Sequence, residues 1–311
     1  MEPRRSFRFG CYTISETLGE GGMCLVFRAR KDGANADVAL KLLRGELEHD
    51  PRIRDLFVTE ADLSMLVDHP NLIHTYDAGE VEGRFYIAMD LMEGGSLADL
   101  VSRLGDVGLV FPPDLAVFAA GQVLAGLHAL HELKSSSGKP LGLVHRDVTT
   151  HNVFIDFSGR VILGDLGITH ISAYGRTDPG RAAGKIEYLA PEVVAGETPD
   201  RRSDIYAVGI LLFELLVGER PLIHPTDATD EVILGAILDG RIKKPRKIRP
   251  SISKGLEEVI LGALERKPSN RPQTARALAQ QLEPLRSPVL ATPALLGGLL
   301  AGAFPDRAKR K

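Results

Sequence analysis

A polar cluster between two apolar runs contains the residue types that could do chemistry. Residues 143–152 read Leu-Val-His-Arg-Asp-Val-Thr-Thr-His-Asn, and Asp165 follows 13 residues after Asn152, within Gly-Asp-Leu-Gly. One Asp can orient a hydroxyl group for attack, while an Asn and a second Asp can hold the magnesium that carries a nucleotide's phosphates. The cluster therefore predicts phosphoryl transfer, with Asp147 orienting the acceptor and with Asn152 and Asp165 as metal ligands.

Length, composition, charge and cysteine count limit the classes of protein to which the chain could belong. The 311 residues suit one large domain or two lobes, and 44% apolar and 25% charged residues are ordinary for a soluble globular protein. A net charge of −3 gives no argument for a nucleic-acid partner. The only cysteines, Cys11 and Cys24, form neither a disulfide framework nor a metal cluster, which favours a reducing, cytoplasmic location. We expect no secretory signal, because Met-Glu-Pro-Arg-Arg-Ser at the start lacks an apolar stretch.

The elements that must position the cluster change in type along the chain. The first ninety residues hold several apolar runs of strand length, one glycine-rich turn and one helical stretch. After the hinge-like Glu93-Gly94-Gly95 the pattern becomes mainly helical. Strands are predicted at residues 11–18, 25–30, 38–43 and 85–89 and a hairpin at 153–163, with helices at 52–67, 112–134 and 205–217. This order predicts an α+β fold of two lobes. The first lobe would be small and rich in strands, the second larger and helical, with a cleft between them.

The C-terminal tail is ambiguous. Nineteen uncharged residues, rich in Leu, Ala, Gly and Pro, separate Arg286 from Asp306. A bilayer span needs about 20 apolar residues, but Pro293 and the glycines that follow it weaken a helix here. We expect a flexible or loosely docked tail. Membrane contact through residues 289–304 and a partner-binding helix are the alternatives left open.

These motifs together resemble the protein kinase family, in particular the bacterial eukaryotic-like serine/threonine kinases, over about residues 10–285. The resemblance implies a bilobal protein kinase-like fold, with a β-rich N-lobe at about 10–92, an α-helical C-lobe at about 93–285 and a tail at 286–311. It also implies ATP as nucleotide, Mg²⁺ as metal and protein substrates with a Ser or Thr acceptor.

The resemblance also assigns the nucleotide contacts. The Leu18–Val26 stretch resembles the glycine-rich loop that covers ATP, with Cys24, expected to be buried and inert, in place of the third Gly. Lys41 would bind phosphates while Glu60, 19 residues later, holds it in place. Contacts with ATP are thus expected at Leu18, Gly19, Glu20, Gly21, Gly22, Met23, Cys24, Leu25, Val26, Lys41, Glu60, Asp90 and Met92.

The resemblance assigns the catalytic residues and the metal ligands as well. The catalytic residues are expected to be Asp147, Lys185 and Asn152, and the metal ligands Asn152 and Asp165. For structural support, the resemblance implies that Glu192 pairs with Arg271 and that Asp204 braces the catalytic loop.

One departure from the family pattern concerns Thr149 and Lys185. Serine/threonine kinases normally carry Lys two residues after the catalytic Asp and Thr after the Gly that precedes Ala-Pro-Glu; this chain has Thr149 and Lys185. Our hypothesis is that Lys185 stabilises charge on the transferred phosphoryl group and that Thr149 donates a hydrogen bond to Asp147. The alternative is a degenerate, inactive site.

The resulting prediction is transfer of the ATP γ-phosphoryl group to protein Ser or Thr hydroxyls, with autophosphorylation, in bacterial signalling. Arg146 would then meet a phosphate on the activation loop, for which Thr177 is the preferred position. A nucleotide-binding pseudokinase and a small-molecule kinase are the alternatives. The Ala-Pro-Glu segment at 190–192 argues against the second, because in the family it belongs to a polypeptide platform.

Overall fold

The computed structural model describes residues 6–166 and 186–309. The chain divides into two compact units. The first contains Leu166 and the described residues within Met1–His69 and Ile73–Met92, and the second contains those within Pro70–Leu72, Glu93–Asp165 and Thr177–Lys311.

The first unit is an antiparallel sheet with one helix packed on it. Six strands lie in the order β1-β2-β3-β4-β6-β5, and helix α1 (Pro51–Met65) packs on β5 and β6. Asp50 caps α1 by accepting the N–H of Arg52, with Pro51 in the first turn. The strands are β1 (Phe7–Phe9), β2 (Tyr12–Glu20), β3 (Cys24–Lys31), β4 (Asp37–Leu43), β5 (Thr75–Val81) and β6 (Arg84–Met89).

The second unit is built around two buried helices. Helix α3 (Pro113–His131) packs against helix α5 (Arg201–Val217). Every residue from Ser203 to Leu216 is buried, as its all-round apolar sequence predicted. Asp200 caps the start of α5, and Gly218, in the left-handed region at φ 84°, ends it. By length and composition α3 could also cross a membrane, but its buried side chains make it a core helix.

Shorter elements complete this unit. A small antiparallel sheet has the order β7-β8-β9, in which β8 and β9 form the predicted hairpin. These strands are β7 (Gly95–Ser96), β8 (Val153–Ile155) and β9 (Val161–Leu163). The other helices are α2 (Leu97–Asp106), α4 (Pro191–Val194), α6 (Asp230–Asp239), α7 (Pro245–Ile248), α8 (Lys254–Ala263), α9 (Ala275–Leu282), α10 (Pro293–Ala303) and α11 (Pro305–Ala308).

The tail, which we expected to be flexible or loosely docked, forms a helix that is docked on the second unit. Helix α10 is capped by Thr292, and its Leu296 and Leu300 are fully buried in the second unit. Gly297 lies where a Cβ atom would come within 2.4 Å of the Phe157 carbonyl oxygen. Glycine weakens an isolated helix, but here it permits a close backbone approach, so tertiary packing overrides the propensity.

Candidate active site

A buried carboxylate on α5 holds the backbone of the catalytic cluster. Asp204 accepts the N–H groups of His145 and Arg146, each at 2.8 Å, and lies 2.7 Å from His131 Nε2. Burial alone would raise the pKa of Asp204, but the contact with His131 and the other hydrogen bonds hold it below its ordinary value. Arg146 has φ 68°, a conformation that costs about 1–3 kcal/mol in a non-glycine residue. The prediction that Asp204 braces this loop is confirmed.

Asp147 and Asn152 are joined directly. Asn152 Nδ2 donates to Asp147 Oδ2 at 2.6 Å and to the Asp147 carbonyl oxygen at 2.9 Å. These bonds use both hydrogens of the side-chain amide, so the side-chain oxygen Oδ1 of Asn152 is the atom that remains to ligate a cation. The same contact fixes the orientation of the Asp147 carboxylate, which is buried.

Asp165 lies at the end of β9 on backbone that contacts the catalytic loop. Gly164 donates its N–H to the backbone carbonyl oxygen of Asn152 at 2.8 Å. The carbonyl oxygen of Gly164 lies 2.9 Å from His145 Nε2. Asp165 itself has φ 30°, in the left-handed region. The two predicted metal ligands, Asn152 and Asp165, are therefore carried on adjoining backbone.

His145 should give the protein a measurable pH dependence. Burial lowers the pKa of His145 below 6.5, against the opposing effect of the Asp204 and Asp147 carboxylates. Near pH 6.5 the imidazole therefore becomes protonated in the unfolded chain but stays neutral in the native state. Because the unfolded state binds more protons, the free energy of unfolding falls as the pH drops below that value, by at most about 1.4 kcal/mol per pH unit. In urea unfolding at pH 7.5 and pH 5.5, wild type should lose more stability than His145→Gln. Equal losses would contradict a buried neutral imidazole.

Thr149 does not make the predicted hydrogen bond to Asp147. Its side chain is buried, and its Oγ1 atom has no hydrogen-bond partner among residues 6–166 and 186–309. Asn152, whose amide reaches the carboxylate directly, makes that contact instead. This part of the exchange hypothesis was therefore wrong.

The neighbouring Thr150 belongs to a buried network that the sequence did not reveal. Its Oγ1 lies 3.1 Å from the hydroxyl of Tyr188 and donates to Glu214 Oε1 at 3.3 Å. Tyr188 also donates to Glu214, and burial together with that carboxylate raises the pKa of the tyrosine. The network links the catalytic loop to the segment before Ala-Pro-Glu and to α5. The one polar residue within the apolar run of α5, Glu214, was the available signal.

In the first unit, Lys41 and Glu60 form the ion pair that their spacing predicted. Lys41 Nζ lies 2.6 Å from Glu60 Oε1, and both side chains are buried. Lys41 is on β4 and Glu60 on α1, so the pair ties the helix to the sheet. Removing either side chain would take a close counter-charge away from the other buried charge, which is destabilising.

The glycine-rich hairpin joins β2 to β3. Gly21 donates its N–H to the Cys24 carbonyl oxygen at 2.8 Å, which closes the turn. Cys24 itself is buried and packs with Phe57 and other apolar residues, as expected for an inert thiol. No described atom lies within 4 Å of where a Cβ would stand on Gly19 or Gly22. Packing among the described residues therefore does not demand glycine at those two positions.

Arg44 is a positioning residue that the sequence reading missed. Its Nε donates to the Gly21 carbonyl oxygen at 3.0 Å, its backbone N–H donates to the Met23 carbonyl at 2.9 Å, and its Nη2 lies 3.4 Å from Glu20 Oε2. Three contacts from one residue fix the tip of the hairpin. The sequence around Arg44 does not indicate this role, because it depends on contacts with a turn that lies more than 20 residues earlier in the chain.

The predicted hinge begins at the end of β6. The N–H of Asp90 donates to the His74 carbonyl oxygen at 3.0 Å, and the Asp90 carboxylate accepts the Tyr76 hydroxyl at 2.5 Å. The backbone group that Asp90 can offer to a ligand is therefore its carbonyl. Met92, two residues further along the chain, ends the Ile73–Met92 stretch of the first unit.

Glu192 and Arg271 form the ion pair that the sequence predicted. Two hydrogen bonds of 2.7 and 2.8 Å join the guanidinium to the carboxylate, and Arg271 also donates to the backbone carbonyls of Glu265, Arg202 and Arg266. Burial would raise the pKa of Glu192, but Arg271 and Ser203 hold it below its ordinary value.

Two predicted residues lie outside the described part of the chain. These are Lys185 and the activation-loop position Thr177. Of the other predicted site residues, those from Leu18 to Met92 belong to the first unit, and Asp147, Asn152 and Asp165 belong to the second. No group of three or more His, Cys, Asp or Glu side chains suited to a metal occurs within residues 6–166 and 186–309.

Comparison with known proteins places these features in one family. The sequence model of the protein kinase domain matches residues 12–282. The kinase domain of PknI from Mycobacterium tuberculosis superposes with a TM-score of 0.66 at 26% identity, over 89% of this chain and 97% of that one. Tyrosine-protein kinase MasK of Myxococcus xanthus is 33% identical over 96% of this chain and 47% of its own length. Serine/threonine-protein kinase PrkC of Bacillus subtilis is 31% identical over 88% and 40%.

The chain thus spans less than half the length of these curated relatives. The match to the family model nevertheless covers most of the chain, and it includes the Lys41–Glu60 pair, the Asp147–Asn152 contact and Asp165. The chain belongs to the protein kinase family, and its relatives include the bacterial eukaryotic-like serine/threonine kinases.

Proposed function

We propose that the protein transfers the γ-phosphoryl group of ATP, with magnesium, to serine or threonine hydroxyls of proteins, its own included. The observation that carries this proposal is the Asp147–Asn152 contact. One side chain there presents a fixed carboxylate, and the other keeps its amide oxygen for a cation. Asp204 supports both by holding the backbone just before them.

Asp147 is the proposed catalytic residue. Its carboxylate would accept a hydrogen bond from the incoming hydroxyl and orient the oxygen toward the phosphorus. A carboxylate held by a 2.6 Å hydrogen bond keeps its direction without solvent reorganisation. Lys185 is proposed to supply positive charge to the transferred phosphoryl group, a role that does not need the Thr149 hydrogen bond.

Asn152 and Asp165 are proposed to hold magnesium. Hard amide and carboxylate oxygens suit that ion, which takes few protein ligands and completes its shell with phosphate and water. When bound, magnesium would neutralise charge on the phosphates. The backbone bond between Gly164 and Asn152 supports the assignment, because it couples the positions of the two ligands.

The first unit supplies the proposed nucleotide contacts. The open space over Gly19 and Gly22 favours close approach of phosphates to the backbone of the hairpin, which Arg44 holds in place. Lys41, oriented by Glu60, would bind the α- and β-phosphates. The Asp90 carbonyl and the Met92 backbone would bind the adenine edge.

We propose serine and threonine, and not tyrosine, as the acceptor residues. PrkC is named a serine/threonine kinase and MasK a tyrosine kinase. Thr149 also departs from the serine/threonine pattern. These two observations make tyrosine the second candidate acceptor. Labelled ATP, a mixed protein acceptor and phosphoamino-acid analysis distinguish the two. We expect phosphoserine and phosphothreonine; phosphotyrosine alone would overturn the assignment.

The boundaries and location also belong to the proposal. We place the kinase domain at residues 10–285 and the protein in the cytoplasm, in agreement with two cysteines that are both free thiols. Membrane contact through residues 289–304 is not favoured, because Leu296 and Leu300 are already buried in protein. Nucleotide binding without phosphoryl transfer would support the pseudokinase alternative.

A further inference from the structure

We infer that the C-terminal segment, residues 287–309, is a positioning element for ATP binding, because it clamps the backbone immediately after the hinge. This inference rests on the proposed function. We call residues 287–309 the tail segment and residues 93–96 the post-hinge segment. Both belong to the second unit.

The first contact is the packing of Leu300 on Gly94. A Cβ atom on Gly94 would lie 2.9 Å from Leu300 Cδ2 and 1.9 Å from the Ile155 carbonyl oxygen. The Gly94 backbone is thus enclosed between α10 and β8, with no room for a side chain. Leu300 is fully buried by this arrangement.

The second contact is polar and comes from Arg307. Its Nη1 donates to the Gly94 carbonyl oxygen at 3.2 Å and lies 3.8 Å from Asp99 Oδ2. The Asp99 carboxylate accepts the N–H of Ser96, and the Ser96 hydroxyl accepts that of Asp99, which caps α2. Arg307 therefore contacts both the post-hinge carbonyl and the carboxylate that fixes the end of the post-hinge segment.

The tail segment is itself anchored at several points, so it can act as a clamp. At its start, Ser287 donates its N–H to Asp114 Oδ1 at 2.6 Å. Pro293 lies so close to the hairpin turn that a Cβ on Gly159 would come within 1.8 Å of its carbonyl oxygen. Near the end of α10, Arg103 Nε donates to the Ala303 carbonyl at 3.3 Å.

The consequence for ATP follows from chain connectivity. Gly94 is two residues after Met92, whose backbone is proposed to bind adenine. When the tail segment holds Gly94, the backbone near Met92 has fewer conformations in the free protein. It therefore loses less conformational entropy when ATP binds. Such preorganisation increases affinity without adding a contact to the ligand.

The test compares two variants that loosen the clamp with two matched controls on the outer side of the tail segment. Leu300→Ala removes the apolar contact, and Arg307→Ala removes the polar one. Leu295→Ala and Lys309→Ala change exposed residues of the same segment. KM for ATP and kcat are measured on the full chain, with the Kd of a fluorescent ATP analogue and amide hydrogen exchange of residues 94–96.

We expect Leu300→Ala and Arg307→Ala to raise KM and Kd about three- to ten-fold, with kcat nearly unchanged and faster exchange at residues 94–96. Arg307→Lys, which keeps a donor, should recover part of the affinity, and both controls should match wild type. Because Arg307 is half-exposed, its variant should fold even if Leu300→Ala does not.

Unchanged nucleotide affinity in Arg307→Ala would overturn the inference, as would equal changes in kcat and KM in both variants. If wild type binds no nucleotide, the proposed function fails instead. The exchange measurement then decides alone whether the tail segment clamps the post-hinge backbone: unchanged exchange in Arg307→Ala would refute the clamp.

Discussion

Asp147→Asn is expected to lower kcat for phosphoryl transfer about 10²–10⁴-fold, with nearly unchanged affinity for ATP. An amide has the shape of the carboxylate but cannot attract the proton of an incoming hydroxyl with a full negative charge. One amide oxygen can still accept the 2.6 Å hydrogen bond from Asn152, so the loop should keep its geometry. Initial rates with labelled ATP and direct nucleotide binding separate the two effects.

Asp106→Asn is the matched control for this variant. Asp106 ends α2, and its exposed carboxylate lies 4.0 Å from Arg103 Nη1 at the surface. The same chemical change there should leave kcat unaltered. An Asp147→Asn enzyme that turned over within ten-fold of wild type would remove Asp147 from the catalytic role.

Arg271→Met is expected to lower the free energy of unfolding by about 3–5 kcal/mol. The guanidinium is fully buried and makes two hydrogen bonds to Glu192 and three to backbone carbonyls. Its removal leaves the Glu192 carboxylate buried without its counter-charge, although Ser203 still donates a hydrogen bond to it. Urea unfolding at neutral pH measures the loss.

Two comparisons isolate the buried charge as the cause. The double variant Arg271→Met with Glu192→Gln should regain part of the lost stability, because no uncompensated charge remains. Arg8→Met breaks an exposed pair with Asp32 and should change stability little. If Arg271→Met cost no more than Arg8→Met, the Glu192–Arg271 pair would not be a main support of the second unit.

The sequence predicted elements whose signals are local. Alternating or continuous apolar residues placed β2, β3, β4 and β6, and the all-round apolar run placed α5 as a buried helix. Pairs with family spacing were also predictable, and Lys41–Glu60 and Glu192–Arg271 both form. In each case the family resemblance supplied the partner, and the structure shows why it is needed, because both charges of each pair are buried.

The expectations that failed depended on tertiary contacts. Thr149 was assigned a bond that Asn152 makes, since a spacing rule cannot rank two donors for one carboxylate. The helix α10 was missed because its glycines lower propensity, although Gly297 is required by the carbonyl of Phe157. Arg44 gave no signal, because its role at the glycine-rich turn becomes visible only once β4 lies beside that turn.

Transfer of label from γ-labelled ATP to polypeptide tests the central claim most directly. The purified chain is incubated with magnesium, a generic protein acceptor and labelled ATP, beside a sample in which magnesium is chelated and beside Asp147→Asn. We expect label on protein in the wild-type sample and little in the other two. A wild-type protein that moves no label, whether or not it binds nucleotide, would contradict a phosphoryl-transfer enzyme built on Asp147, Asn152 and Asp165.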